Sequence, residues 1–139
     1  MHRSLLITVA ALTALTGRIE AQGKKSAEPA FQGRPLSSWV ADLKARAPYT
    51  RNAAAYAIGG MGASAKAAVP ALIAVLEDST EVPAVRFPVC VALREIGPDA
   101  KAAVPVLTQT LDDRNDEVAA MARKAIKSIT GLDPRPPEN

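Results

Sequence analysis

The sequence predicts an all-α fold, a short α-solenoid of about three helical hairpins. The first observation is a repeat: the hexapeptide AKAAVP occurs at residues 65–70 and again, 35 residues later, at residues 100–105. A fixed period in this range is typical of stacked supersecondary units. The second is composition, since 48% of the residues are apolar but only 4% are aromatic. Such a core must be packed from small side chains, which favours alanine-rich helices. No segment is predicted as a strand.

The first 21 residues have the pattern of a secretory signal. Arg3 is followed by an apolar run of about 11 residues and then by Ala21, after which we expect cleavage. The run is shorter than the roughly 20 apolar residues of a membrane span. We therefore expect a chain exported to the periplasm or the medium, without membrane attachment once residues 1–21 are removed. A buried N-terminal helix is the alternative, and residues 22–33 are interpreted as a linker.

Two apolar patterns alternate along the predicted repeat domain, residues 34–132. Each pattern places apolar side chains on one face of a helix, so every unit is predicted to contain an A helix followed by a B helix. The A series are Leu36, Trp39, Val40, Leu43; Val69, Leu72, Ile73, Leu76; and Val104, Leu107, Thr108, Leu111. The B series are Thr50, Ala54, Ala57, Ile58, Met61; Val85, Val89, Ala92, Leu93, Ile96; and Val118, Ala122, Ala125, Ile126, Ile129.

Glycine and proline divide the domain into its units. They follow each B series, where a helix should end. The predicted repeats are residues 34–62, 63–97 and 98–131, and a polar, Pro-rich tail occupies residues 133–139.

Three prolines bear on the shape of individual helices. Pro70 and Pro105 close the two hexapeptides, so an A helix is expected to start or to bend there. Pro88 lies inside the second B segment, and we expect that helix to be irregular at its N-terminal end. Trp39, the only tryptophan, is expected to close the N-terminal end of the stack.

Residues 85–113 resemble a HEAT repeat, in the short form that is also found in bilin lyases. The lead-in FQGRPLSSWV at residues 31–40 resembles the entry to exported bacterial HEAT-repeat proteins. The resemblance extends over about residues 31–132. It implies an α-solenoid that serves as a protein-interaction scaffold, with the B helices lining its concave side.

The resemblance also implies ion pairs between repeats. In the family, an arginine near the start of a B helix usually pairs with an aspartate at the preceding turn. Arg51 and Arg86 fit this pattern, with Asp78 and Asp113 as candidate partners. Ala119 replaces the third arginine, which is expected of a terminal repeat.

The residues that catalysis would need are scarce. The only histidine, His2, lies in the predicted signal, so the mature chain has no imidazole for a triad, a metal or a proton shuttle. We predict no enzymatic activity, no metal and no cofactor. Cys90 is interpreted as structural, although a reactive thiol and an intermolecular disulfide stay open as alternatives. The net charge of only +3, without a basic run, does not favour nucleic-acid binding.

The remaining candidates are surface positions of the B helices. Tyr56, Phe87, Arg94 and Arg123 combine the aromatic and arginine character that is enriched at binding hot spots. They predict a non-catalytic scaffold whose partner is an unidentified protein or peptide. Packing of Tyr56 and Phe87 between repeats is the alternative for those two. Two other functions remain open: an enzyme accessory resembling bilin lyases, and a protein that self-associates through its last B helix, residues 118–129.

Overall fold

The computed structural model describes residues 27–134, which form three helical hairpins in succession. The all-α class is confirmed. The predicted signal and the end of the tail, residues 1–26 and 135–139, lie outside the described residues. The A helices are α1 (Leu36–Asp42), α3 (Val69–Glu77) and α5 (Val104–Thr110), and the B helices are α2 (Pro48–Gly60), α4 (Pro83–Ile96) and α6 (Asp116–Thr130).

The hairpins stack through their B helices. Helix α2 packs along α4, and α4 packs along α6, with the A helices closing the other side of a single core. Small residues bring the first two B helices together. A side-chain carbon at Gly59 would lie 3.3 Å from the Cα atom of Ala92, closer than ordinary contact distance. The expected core of small side chains is therefore present where the repeats meet.

The two copies of AKAAVP adopt the same backbone. Each forms the end of a 3₁₀ segment (Gly62–Ala68 and Gly97–Ala103) and the start of an A helix. The backbone bends at Ala65 (φ −89°, ψ 15°) and at Ala100 (φ −93°, ψ 20°). The prolines follow at the second position of α3 and α5, where no helical N–H is needed. Of the two alternatives, the A helix starts at the Val-Pro pair and does not bend there.

A short β-hairpin precedes the first helix, so the prediction of no strand is wrong for this segment. Strands β1 (Ala30–Phe31) and β2 (Arg34–Pro35) pair antiparallel. The turn residues Gln32 and Gly33 have φ values of 51° and 75°, as the tight turns of two-residue hairpin loops require. Strands of two residues are too short to show an alternating pattern in the sequence.

The hairpin and Trp39 together close the N-terminal end of the stack. The Trp39 side chain is buried, and its indole N–H donates to the Phe31 carbonyl over 3.3 Å. The Arg34 guanidinium lies 3.8 Å from the centre of the indole ring, in cation–π contact. The Phe31 ring covers Gly60 at the end of α2, where any side chain would collide with it. The expected role of Trp39 at this end is confirmed.

Helix α4 is continuous through Pro88, so the expected irregularity is absent. Pro88 has no N–H for the carbonyl of Ala84, four residues earlier. The side-chain amide of Asn52, on the neighbouring helix α2, donates to that carbonyl over 2.6 Å. The Arg94 carbonyl lies in the last turn of α4, where carbonyls have no helical donor, and the Ser128 hydroxyl of α6 donates to it over 2.8 Å. Two side chains from adjacent repeats thus donate to carbonyls of α4 that have no helical partner.

We expect Asn52→Ala to lower the free energy of unfolding by about 1 kcal/mol, because it leaves the Ala84 carbonyl without a protein donor. In a Pro88→Ala background the backbone N–H of residue 88 can donate instead, and Asn52→Ala should then cost almost nothing. Urea unfolding of the two single variants and the double variant measures this coupling. An equal cost of Asn52→Ala in both backgrounds would contradict the assignment.

Candidate functional site

Two arginines join consecutive repeats at the edge where A helices turn into B helices. Arg51, at the start of α2, makes a two-pronged contact with Glu81 of the next repeat, with N–O distances of 2.7 and 2.8 Å. It also donates to the carbonyls of Ala45 and Arg46. Hydrogen bonding to Glu81 raises the pKa of Arg51 above its ordinary value. The Glu81 side chain is only 4% exposed, so this ion pair is shielded from water.

The second arginine continues the same chain of contacts. Arg86, at the start of α4, makes a two-pronged contact with Asp113 over 2.8 and 3.0 Å. Its third nitrogen donates to the backbone carbonyl of Glu81. The residues Arg51, Glu81, Arg86 and Asp113 therefore form a continuous polar ladder through all three repeats. No buried side-chain nitrogen or oxygen in the described part of the chain lacks a hydrogen-bond partner.

The prediction that Asp78 pairs with Arg51 is wrong. Asp78 instead stabilises its own turn, accepting hydrogen bonds from the Thr80 hydroxyl and N–H over 2.6 and 2.9 Å. These bonds lower the pKa of the Asp78 carboxyl below its ordinary value. Glu81, three residues later and one carbon longer, takes the place of Asp78 in the ladder.

Cys90 lies inside the molecule, between the repeats. Its side chain is fully buried in α4, and burial, with a smaller effect of the Asp113 charge, raises the pKa of the thiol to about 12. A thiol at this pKa is protonated at neutral pH, whereas attack on an electrophile needs the thiolate. In the folded chain Cys90 is a core residue.

One side of the B helices remains open to solvent, and we call it the B-helix face. On α4 it comprises Phe87, Val91 and Arg94, and on α6 Ala120, Lys124 and Lys127. Spacings of three and four residues place each set along one side of its helix. The face continues onto α2 at Asn52 and Tyr56. All four predicted contact residues lie on or beside it: Tyr56, Phe87, Arg94 and Arg123.

The end of the B-helix face nearest the helix starts combines aromatic side chains with polar groups. A groove of about 250 Å³ lies between Tyr56, Phe87, Pro83 and Ala84, with Asn115 and Glu117 of α6 at its far side. Tyr56 is 48% exposed, and Tyr49, at the start of the same helix, is 82% exposed. Phe87 is half-buried and packs against the core, so for this residue the predicted packing between repeats is present.

The other end of the face is basic. Arg94, Lys124 and Lys127 line an open cavity of about 450 Å³ together with Glu95 and Ser128. The Arg94 guanidinium contacts the Glu95 carboxylate over 2.6 Å and the Met121 sulfur over 3.8 Å. Lys124 and Lys127 are exposed and also line an adjoining cavity of about 390 Å³ with Ala120, Arg123 and Asp133.

Arg123 at the edge of the face is already in contact with a carboxylate of the same chain. Its guanidinium donates to both oxygens of Asp133, which follows the end of α6, over 2.6 and 3.0 Å. The hydrogen bonds to Asp133 raise the pKa of Arg123 above its ordinary value. The sequence predicts Arg123 as a contact residue but not Asp133, Lys124 or Lys127. The spacing of Lys124 and Lys127 from Ala120 is the signal in the sequence that places these lysines on the same side of the helix.

The apolar side chains of the last B helix pack inside the monomer. Val118, Ala122, Ala125, Ile126 and Ile129 are all buried, and the outer positions of α6 are polar. The C-terminal repeat therefore has its own polar cap, and its apolar stripe offers no surface for self-association. Among residues 27–134, no helix is long and apolar enough to cross a membrane, and no group of three or more acidic, cysteine or histidine side chains could hold a metal ion.

Comparison with known proteins agrees with this architecture. A family model described as HEAT repeats matches residues 36–127, from the first residue of α1 into the last turns of α6. No curated protein and no solved structure matches the chain significantly. The matched range covers more than half of the chain and includes every repeat of the stack. The chain therefore belongs to the HEAT repeat family.

Proposed function

We propose that the protein is a non-catalytic scaffold that binds a protein or peptide partner through its B-helix face. HEAT repeats generally serve as protein-interaction scaffolds. The observation that carries the proposal is the composition of this face, which presents the aromatic side chains Tyr56 and Phe87 at one end and the basic cavity at Arg94 and Lys127 at the other. Aromatic side chains and arginine are enriched on surfaces that bind other proteins.

Rigidity supports the same proposal. The polar ladder and the donors Asn52 and Ser128 connect each repeat to the next, so the three B helices are held in fixed relative positions. A surface that is already formed loses little conformational entropy when a partner binds. We further propose that the scaffold acts after export, on the basis of the signal pattern in residues 1–21.

The alternative of an enzyme accessory resembling bilin lyases has less support. Attachment of a chromophore to a thiol would need an accessible, ionisable cysteine. Cys90 is fully buried, with a pKa of about 12, and the mature chain has no histidine to activate it.

A comparison of two surface variants tests the scaffold. The mature chain, beginning at residue 22, is immobilised and exposed to a periplasmic extract or culture medium of the source organism. We expect Tyr56→Asp, on the B-helix face, to abolish retention of the proteins that the wild type captures. Thr108→Asp, an exposed position on α5, is the matched control and should retain them. Retention that is the same for both variants, or no specific capture by the wild type, would overturn the proposal. Circular dichroism checks that both variants are folded.

A further inference from the structure

Charge is unevenly distributed over the B-helix face. Its basic end has four cationic side chains, Arg94, Arg123, Lys124 and Lys127, and two acidic ones, Glu95 and Asp133. Both acidic groups are held by arginines, Glu95 by Arg94 and Asp133 by Arg123. Neither lysine forms a salt bridge with any residue in the range 27–134. The cavities that the lysines line thus carry an excess of positive charge.

The contact of Arg123 with Asp133 shows what this end of the face can bind. Both oxygens of the carboxylate lie against two nitrogens of the guanidinium, the parallel geometry in which arginine recognises carboxylates. The contact is exposed, with 38% and 35% of the two side chains accessible to water. Exposed ion pairs of this kind contribute little to stability, so another carboxylate can compete with Asp133 for Arg123.

The surroundings favour an acidic peptide over a nucleic acid. Glu95 lines the basic cavity, and Glu117 lies at the edge of the groove beside Tyr56 and Phe87 on the same face. Glu95 is paired with Arg94, whereas Glu117 would repel the phosphates that a nucleic acid carries all along the face. A peptide can instead place its acidic residues at the basic end and apolar residues towards Tyr56 and Phe87.

We propose that the basic end of the B-helix face binds an acidic segment of the partner protein, and that a carboxylate of this segment displaces Asp133 from Arg123. The proposal rests on the scaffold function above and adds the chemical class of the partner. It also makes the segment after α6 an internal competitor. Binding of the partner releases Asp133, and the intact contact weakens binding.

The probe for the experiment is a short fluorescein-labelled peptide of glutamates interrupted by leucines, and the readout is fluorescence anisotropy with the mature chain. We expect saturable binding that weakens as salt is added. Lys124→Glu/Lys127→Glu should weaken binding at least about tenfold, because like charges then face each other. Lys66→Glu/Lys101→Glu makes the same change in net charge at exposed positions of the two 3₁₀ segments and should stay within about twofold of the wild type.

The internal competitor has its own pair of variants. Asp133→Asn should tighten binding of the peptide about threefold, because it removes a carboxylate that competes with the peptide for Arg123. Asp99→Asn removes the same charge at an exposed site of the second 3₁₀ segment and should leave affinity unchanged. Equal effects of Asp133→Asn and Asp99→Asn would overturn the displacement of Asp133.

Three other results would overturn the proposal that the partner is acidic. They are the absence of peptide binding, equal losses in the two lysine double variants, and tighter binding of a DNA oligonucleotide than of the peptide. None of these results affects the scaffold function, which depends separately on whether Tyr56→Asp abolishes retention of native proteins.

Discussion

Replacement of Arg86 by alanine should lower the free energy of unfolding by about 3 kcal/mol. The change removes both contacts with Asp113 and the donor to the Glu81 carbonyl, and it leaves a carboxylate that is only 9% exposed without its cation. Breaking a buried pair from one side is costly because the remaining charge stays desolvated. Urea or thermal unfolding measures the loss.

An exposed pair on the same helix provides the control. The side chains of Arg94 and Glu95 are 36% and 45% accessible, and Arg94→Ala should cost less than about 1 kcal/mol. The double variant Arg86→Ala/Asp113→Ala should be more stable than the sum of its single variants predicts, because no orphan carboxylate remains. If the loss in the double variant equals the sum of the losses in the two single variants, the pair does not couple the second repeat to the third.

Replacement of Leu93 by alanine should cost about 4 kcal/mol, the largest single effect that we expect in this protein. Leu93 is fully buried on α4, the B helix that packs against both of the others. The cavity left by the truncation therefore lies at the contact of all three repeats, where the backbone has little room to collapse. The change is measured by chemical unfolding of the variant and the wild type.

Leu132→Ala is the matched control, because it removes the same atoms from a side chain that is 73% exposed. We expect its effect to stay within about 0.5 kcal/mol. If unfolding of Leu93→Ala removes only part of the helical circular dichroism signal in a first transition, the repeats unfold less cooperatively than their continuous core and the polar ladder indicate.

The fold could be predicted from the sequence because its signals recur. Each hairpin repeats the same apolar spacing, and AKAAVP occurs where two A helices start, so errors in one unit are corrected by the next. The β-hairpin at Ala30–Phe31 and Arg34–Pro35 has no such repetition. Its stability depends on contacts of Phe31 with Gly60 and of Arg34 with Trp39, which are absent from any local pattern.

The contact residues could be predicted only in part. Alignment of the repeats shows which positions correspond, but it does not show which side chains contact each other. A shift of 35 residues matches Asp78 with Asp113, yet only Asp113 contacts an arginine. The Asp78 carboxylate accepts a hydrogen bond from Thr80, and the longer side chain of Glu81 contacts Arg51 instead. The sequence does not indicate the basic end of the B-helix face, for a different reason. Lysines are depleted at hot spots in general, and a cluster with Asp133 becomes visible only when α6 and the segment after it are placed in space.

The bond from Asn52 to the Ala84 carbonyl has a consequence for the evolutionary growth of this array. The position that corresponds to Asn52 in the second repeat is Phe87, which has no donor. If the second repeat were duplicated in tandem, Pro88 of the new copy would lie opposite a phenylalanine. The Ala84 carbonyl of that copy would then have no side-chain donor. The repeats are therefore not interchangeable modules. In a lengthened descendant of this gene, either a new asparagine or the loss of that proline would restore the pairing of this carbonyl.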